Sequence, residues 1–247
     1  MQLQIFDSPD EAAQALARRI AAGVRANPEV VLGLPTGRSP VAAYAALRRM
    51  HQAGDLDMSR VSTFNLDEFA GIAADHPGSF RRFMEEHLFR GVNVDRHRLH
   101  FLDGAAADLD AECERYEAAI DAAGGIDLQV LGIGANGHIG FNEPGDELAA
   151  RTHRVRLHEV TRRENAALFG GNVDVVPREA LSMGMATILR ARRIVLIATG
   201  KRKAGCIERT LRGPLTTRLP ASFLQTHRDV ELFLDRAAAA LLTSGRT

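Results

Sequence analysis

Ile126-Asp127-Leu128-Gln129-Val130-Leu131-Gly132-Ile133-Gly134-Ala135-Asn136-Gly137-His138-Ile139-Gly140-Phe141-Asn142-Glu143-Pro144 is the stretch from which the fold is read. Its first third, Ile126 to Leu131, is the most strongly apolar run of the chain and predicts a buried strand. That strand empties into a glycine-rich loop holding one histidine, with a carboxylate five residues later. Glycine lets the backbone take positive φ and approach a ligand closely. A histidine titrates near neutral pH, and a neighbouring carboxylate fixes its tautomer, an arrangement suited to general acid–base work.

Outward from this point, similar runs alternate with helical patterns. Leu3 to Phe6, Val30 to Leu34, Val61 to Asn65, Arg193 to Ala198 and Val230 to Leu234 read as further strands. Ser8 as cap, Pro9 at the first helical position and the acids Asp10 and Glu11 open a helix after the first strand. Helices are expected over about Pro40 to Gly54, Pro77 to Arg90 and Leu109 to Ala122, and from about Lys201. Strand, loop, helix, strand predicts an α/β fold: an open, doubly wound, mostly parallel sheet with helices on both faces, Rossmann-like, in a single domain over residues 1–247. The basic, less periodic stretch Arg151 to Arg163 reads either as a mobile flap, extending over about residues 151–175, or as a solvated edge strand and turn.

Composition excludes several classes. The chain has 247 residues, 45% hydrophobic and 25% charged, the values of a soluble globular protein. Basic and acidic residues balance at 31 each, which calls for neither nucleic acid nor an anionic membrane as partner. Two cysteines, Cys113 and Cys206, exclude a disulfide framework and suit a reducing compartment. No secretory signal and no membrane-length apolar run is visible, so a cytoplasmic protein is expected. Lys201 and Lys203 are the only lysines; every other basic residue is arginine.

Ligands of open α/β sheets bind beyond the carboxyl ends of the strands, and three more loops sit there. Leu32-Gly33-Leu34-Pro35-Thr36-Gly37-Arg38-Ser39-Pro40 offers backbone N–H groups and the Thr36 and Ser39 hydroxyls to an anion, although alone it reads equally as a tight strand-to-helix turn. Thr63-Phe64-Asn65-Leu66-Asp67-Glu68-Phe69 places two carboxylates at a strand tip. One is expected as a proton carrier and the other as an outward-facing structural partner; taken alone, the pair reads rather as acids capping the next helix. Ala198-Thr199-Gly200-Lys201-Arg202-Lys203-Ala204 holds both lysines at a helix start, where an anion would compensate them. Zinc is disfavoured, because His138 has no partner at ligand spacing and both cysteines fall in helical patterns. The four loops together predict a phosphorylated small molecule handled by proton transfer.

Those loops, with His76-Pro77 and Pro220-Ala221-Ser222-Phe223-Leu224-Gln225, resemble the glucosamine-6-phosphate deaminase family over nearly the whole chain. The Gly-His-Ile-Gly-Phe-Asn-Glu-Pro string carries the resemblance most specifically; the related 6-phosphogluconolactonases share a Gly-His loop without the Phe-Asn-Glu-Pro continuation. The resemblance implies conversion of glucosamine 6-phosphate and water to fructose 6-phosphate and ammonia, in amino-sugar catabolism, with no metal or organic cofactor. It implies Asp67 as the base between C2 and C1, and His138 as the ring-opening acid–base, held by Glu143. Asn136 stands where the family has Asp or Asn and would orient the imidazole. Thr36, Gly37, Arg38, Ser39 and Lys203 would hold the phosphate. A phosphorylated amino sugar is thus the implied partner, and the chain a monomer or a homo-oligomer, since both occur in the family. Alternatives are the same reaction on galactosamine 6-phosphate, or 6-phosphogluconolactone hydrolysis.

The chain departs from the family pattern at two places. The flap arginine that reaches the phosphate is matched by Ala167, so Arg38, Arg162 or Arg163 is expected to supply that charge. The serine, arginine and lysine of the family's allosteric site are matched by Asp146, His153 and Val155, which predicts no activation by N-acetylglucosamine 6-phosphate there.

Overall fold

The computed structural model describes residues 1–243. Its strands are β1 (Gln2–Phe6), β2 (Val31–Leu34), β3 (Ser62–Asn65), β4 (Asp67–Phe69), β5 (Leu99–His100), β6 (Leu128–Leu131), β7 (His153–Arg156), β8 (Glu179–Ser182), β9 (Arg193–Ala198) and β10 (Val230–Asp235). The α-helices are α1 (Pro9–Ala26), α2 (Arg38–Gln52), α3 (Phe80–His87), α4 (Leu109–Ala122), α5 (Glu159–Asn165), α6 (Met185–Leu189), α7 (Ala204–Arg212) and α8 (Ala240–Thr243).

Seven strands form one sheet in the order β1-β10-β9-β6-β2-β3-β5, and every pairing in it is parallel. This is the α/β architecture the alternating apolar runs predict. Local signals set the helices as read. Ser8 accepts a hydrogen bond from the Glu11 N–H at 3.2 Å, and Pro9 opens α1. Ala12, Leu16, Ile20 and Val24, spaced by four, then bury one stripe. That stripe packs with α2 residues Ala43, Tyr44 and Leu47 on Leu32, Leu34, Val130, Val195 and Ile197. The opposite face of the sheet carries Phe64, Leu66, Leu131, Ile194 and Leu196 against Cys113, Tyr116, Ile120, Ile188 and Ile207. The helix expected from Pro77 starts only at Phe80. Ser79 stays extended and accepts from Arg81 N and Arg82 N, a side-chain cap that sets the boundary.

The strand order grows outward in both directions from the β2–β6 pair. β3 and β5 follow on one side; β9, β10 and β1 on the other. The crevice therefore belongs beyond the carboxyl ends of β2 and β6, where the loops of Gly37 and His138 emerge.

A second sheet, β4-β8-β7, is antiparallel and lies outside the single sheet that the sequence predicts. Its strands are three or four residues long, and β7 exposes Arg154 and Arg156, so no apolar run marks them. Of the two readings of Arg151 to Arg163, the edge strand is the one observed, followed by α5 and short 3-10 turns at Ala166–Phe169 and Val173–Val175. This region has its own apolar cluster, in which Leu157, Ala166 and Val176 pack on Phe69, Phe80 and Phe141. Among the described residues, no helix is long and apolar enough to cross a membrane.

Candidate active site

The loop after β2 turns at Gly37, whose φ of +94° is open to glycine. Gly37 caps α2 with no side-chain hydrogen bond, so the leading N–H groups of the helix lack a side-chain acceptor. The Tyr44 hydroxyl, fully buried, donates to the Pro35 carbonyl at 2.5 Å and fixes the loop from behind. Thr36 and Ser39 are half-buried, and Gly37 and Arg38 are exposed, all on the crevice side of the strand ends. Across from them, the Gly200 N–H donates to both carboxylate oxygens of Asp235 at 3.0 Å, which holds the 3-10 turn Lys201–Lys203. Lys201 and Arg202 point to solvent, while Lys203 is half-buried. Burial pushes the Lys203 ammonium below the usual lysine range. Glu164 opposes this shift, whereas the cations Arg202 and Arg38 add to it. Arg38 and Lys203, far apart in the chain, therefore share one electrostatic neighbourhood, a cationic end of the crevice without an anion of its own loops.

Asp67 and Glu68 divide the work expected of the pair. Asp67 is buried, its Oδ1 has no hydrogen-bond partner, and burial, helped by the adjacent Glu68 charge, pushes its carboxyl up to about 8. Such a group is a proton carrier near neutrality. Glu68 is not outward-facing as expected. Its alternation on β4 sends it inward, 3% exposed, where Oε1 accepts from Phe69 N (2.8 Å) and Phe80 N (3.0 Å), and Oε2 from the Ser79 hydroxyl (2.7 Å) and Arg81 N (3.0 Å). Burial still raises its pKa, with those four donors pulling it back. Helix capping, the reading favoured for the pair alone, is thus the role of Glu68, performed from a strand.

The loop after β6 curls on itself. Gly134 N donates to the His138 carbonyl (3.0 Å), and Gly137, at φ +94°, donates to the Gly134 carbonyl (3.1 Å). A Cβ on Gly134 would stand 2.3 Å from the His138 ring, so glycine there is a demand of close packing. Gly140, also at positive φ, brings the loop beside Asp67: a Cβ there would lie 3.6 Å from Asp67 Oδ2 and 3.0 Å from the Ser182 hydroxyl. Ser182 pairs with Asp67 across β4 and β8, and its hydroxyl accepts from Phe141 N at 3.0 Å. Asn142 Nδ2 donates to the Ile139 and Met183 carbonyls. These bonds fix His138 and Asp67 relative to one another. His138 is 15% exposed at the side chain, its Nδ1 has no hydrogen-bond partner, and Glu143 Oε2 stands 3.7 Å away. Burial lowers its pKa, Glu143 and Glu164 raise it, and Lys203 and His158 lower it further.

Asn136 corrects the expectation that it orients the imidazole. Its Oδ1 accepts from the His138 backbone N–H (3.2 Å) and its Nδ2 donates to Glu143 Oε2 (3.2 Å). The amide shapes the loop and holds Glu143; it does not touch the ring.

The flap closes one side. Phe169 lies 5.5 Å from the His76 ring, centre to centre, and fills the space above Gly78. Two of the three arginines offered in place of Ala167 are committed elsewhere. Arg162 donates to the Val173 and Val176 carbonyls, and Arg163 pairs with Glu159 along α5. Arg38 remains. The positions matched to an allosteric site, Asp146, His153 and Val155, engage Arg218, the Arg151 carbonyl and β8 respectively. Two residues near the site escape a sequence reading: Glu164, facing Lys203 and His138, and His158, 3.6 Å from Glu143. Both belong to a segment with no apolar signature, and only the fold brings them here.

Comparison with known proteins places this geometry among relatives. A family model described as glucosamine-6-phosphate isomerases/6-phosphogluconolactonase matches residues 7–233. The glucosamine-6-phosphate deaminase of Halothermothrix orenii is 47% identical over 98% of this chain and 100% of its own. Glucosamine-6-phosphate deaminase 2 of Bacillus subtilis is 46% identical over 99% of this chain and 98% of its own. A solved structure of a monomeric glucosamine-6-phosphate deaminase superposes with a TM-score of 0.94 at 42% identity, covering 98% of this chain and 100% of that one. The 6-phosphogluconolactonase of Trypanosoma cruzi superposes at 0.79 with 20% identity over 98% of this chain and 97% of its own, a likeness of fold alone.

Proposed function

The chain belongs to the family of glucosamine-6-phosphate isomerases and 6-phosphogluconolactonases, and from that premise we infer that it is an enzyme that deaminates glucosamine 6-phosphate to fructose 6-phosphate and ammonia. The observation that carries the chemistry is the buried Asp67 beside Gly140, its Oδ1 unpartnered and its proton affinity raised to about 8. Lactone hydrolysis moves no proton at carbon, so a base placed for C2 would be dispensable to it.

In this reading the phosphate lies between the start of α2 and Lys203. Thr36, Gly37, Arg38 and Ser39 surround it from one side, and the Lys203 ammonium from the other. His138 takes the proton of the O1 hydroxyl and returns one to the ring oxygen, opening the sugar, while Glu143 supports its charged form and Asn136 holds Glu143 in place. Asp67 removes the C2 proton of the open aldehyde and delivers it to C1; the aldehyde oxygen gains one proton as the amino nitrogen gives one up and the C2–N bond becomes double. The product of this shift is a C2 imine, which water hydrolyses to ketone and ammonia. A base whose conjugate acid titrates near 8 can both take and give a proton at neutral pH. The two cysteines, both buried thiols, suit the reducing cytoplasm.

The test is direct. The protein is incubated separately with glucosamine 6-phosphate, galactosamine 6-phosphate and 6-phosphogluconolactone, and ammonia and acid release are measured. Ammonia from the first, released far more slowly by Asp67→Asn, is expected; acid release from the lactone that survives Asp67→Asn would overturn the reading.

A further inference from the structure

Glu143 Oε2 is faced by two imidazoles. His138 Nδ1 approaches to 3.7 Å from the loop after β6, and His158 Nδ1 to 3.6 Å from the start of α5. The His158 backbone N–H also lies 3.4 Å from Glu143 Oε1, so that residue meets the carboxylate at two points. Glu143 is 5% exposed at the side chain, and Asn136 Nδ2 also donates to its Oε2 at 3.2 Å. One carboxylate neutralises one imidazolium, so the two rings compete for the same partner. Their access to solvent differs: the His158 side chain is 51% exposed and that of His138 15%.

We propose that His158 is a positioning residue of the reaction, sharing the Glu143 carboxylate with His138 so that a proton on the flap imidazole is traded against a proton on the catalytic one. The proposal deepens the deaminase reading and rests on it. With His158 charged against Glu143, His138 is kept neutral, the form that accepts the O1 hydroxyl proton. With His158 neutral or swung away, Glu143 supports the His138 cation, the form that protonates the ring oxygen. The other charged groups facing His138 are Glu164, from the far end of α5, and Lys203, after β9; the first favours its cation and the second opposes it. Arg202 lies 3.9 Å from Glu164 and partly offsets it. Of these charged groups, His158 is the one that shares the Glu143 Oε2 oxygen with His138. The proton on His158 thereby becomes a control on the ring-opening step.

Three full-length proteins test this: wild type, His158→Gln and His158→Arg. Ring NMR titration of His138 reads its midpoint without substrate, and kcat/KM for glucosamine 6-phosphate against pH reads the same group in turnover. The neutral variant is expected to raise the His138 midpoint, and the permanently charged variant to lower it, each by about 0.3–1 unit. The matching limb of kcat/KM moves with it. A merely structural role would not give shifts of opposite sign. Midpoints that stay together, or move the same way, overturn the proposal, as does a pH limb that ignores shifted midpoints. Failure of the wild-type protein to release ammonia overturns the deaminase reading instead, and leaves the ring titrations to judge the coupling.

Discussion

At the carboxyl end of the parallel sheet, Asp67 Oδ1 and His138 Nδ1 are buried without hydrogen-bond partners. On the flap that faces them, the polar groups are mostly engaged with one another: Arg162 with the Val173 and Val176 carbonyls, Asn165 Nδ2 with the Thr161 carbonyl, Arg163 with Glu159. Buried polar atoms without partners cost stability and are retained where a ligand will satisfy them. The difference separates two tasks. The sheet end carries the unpartnered acid–base groups on a frame fixed by Ser182, Asn142 and Glu68, and the flap carries a cover whose polar groups, Thr161 Oγ1 apart, are largely bonded within it while His158 and Glu164 reach towards the site.

The largest break in this contrast is expected from Asp67→Asn. Loss of a general base lowers kcat by about 10²–10⁴-fold with KM little changed, read by ammonia release. The same variant gains stability. A carboxyl raised from 3.8 to about 8 by burial stabilises the fold least when ionised, so wild-type stability from this group falls as pH rises through that window. Asp67→Asn therefore has the higher Tm, by more at pH 8.5 than at pH 5, and kcat/KM of the wild type rises with pH towards the same upper limit.

Next in size is Lys203→Ala. Removing a half-buried cation from the end proposed to hold the phosphate should cost about 1.5–3 kcal/mol, or roughly 10- to 150-fold in kcat/KM, chiefly through KM. Glu68→Gln probes the frame rather than the chemistry. Turning a four-fold acceptor into an amide leaves a buried donor facing donors, with an expected loss of about 1–3 kcal/mol in urea unfolding. Arg162→Ala sharpens the contrast from the other side: hydrogen-exchange protection should fall over residues 159–176 while β6 and β9 keep theirs. The smallest effect is expected at Arg38→Ala, a few-fold rise in KM, because its guanidinium is exposed and screened; an unchanged KM would remove Arg38 from the phosphate site.

The same contrast explains what could be read from sequence. Buried parallel strands announce themselves as apolar runs, and Leu109 to Ala122 and Arg193 to Ala198 were bounded correctly because capping and β-branched residues agree with the tertiary environment there. The loops at the strand ends were legible for the same reason: Gly134, Gly137 and His138 follow an unmistakable strand. The small sheet was not, since its stability comes from Phe69, Phe80 and Phe141, which lie outside the flap segment that they cover. Glu68 was misplaced because period-two alternation on a three-residue strand cannot be told from a loop, and its partners on Ser79, Phe80 and Arg81 are a tertiary fact. His158 carries no local signal at all; its meaning lies in Glu143, fifteen residues earlier.

Both ends of the flap are stapled to the body of the molecule. Thr152 is held through its N–H and hydroxyl by the buried Glu117, which also gathers the Thr187 hydroxyl and Arg190, and the return at Ser182 is paired with Asp67. An excursion pinned at both feet behaves as an exchangeable cassette. A stretch grafted between those anchors would have to keep His158 and Glu164, the two residues by which this excursion reaches Glu143, His138 and Lys203, while the rest of its length is free to vary.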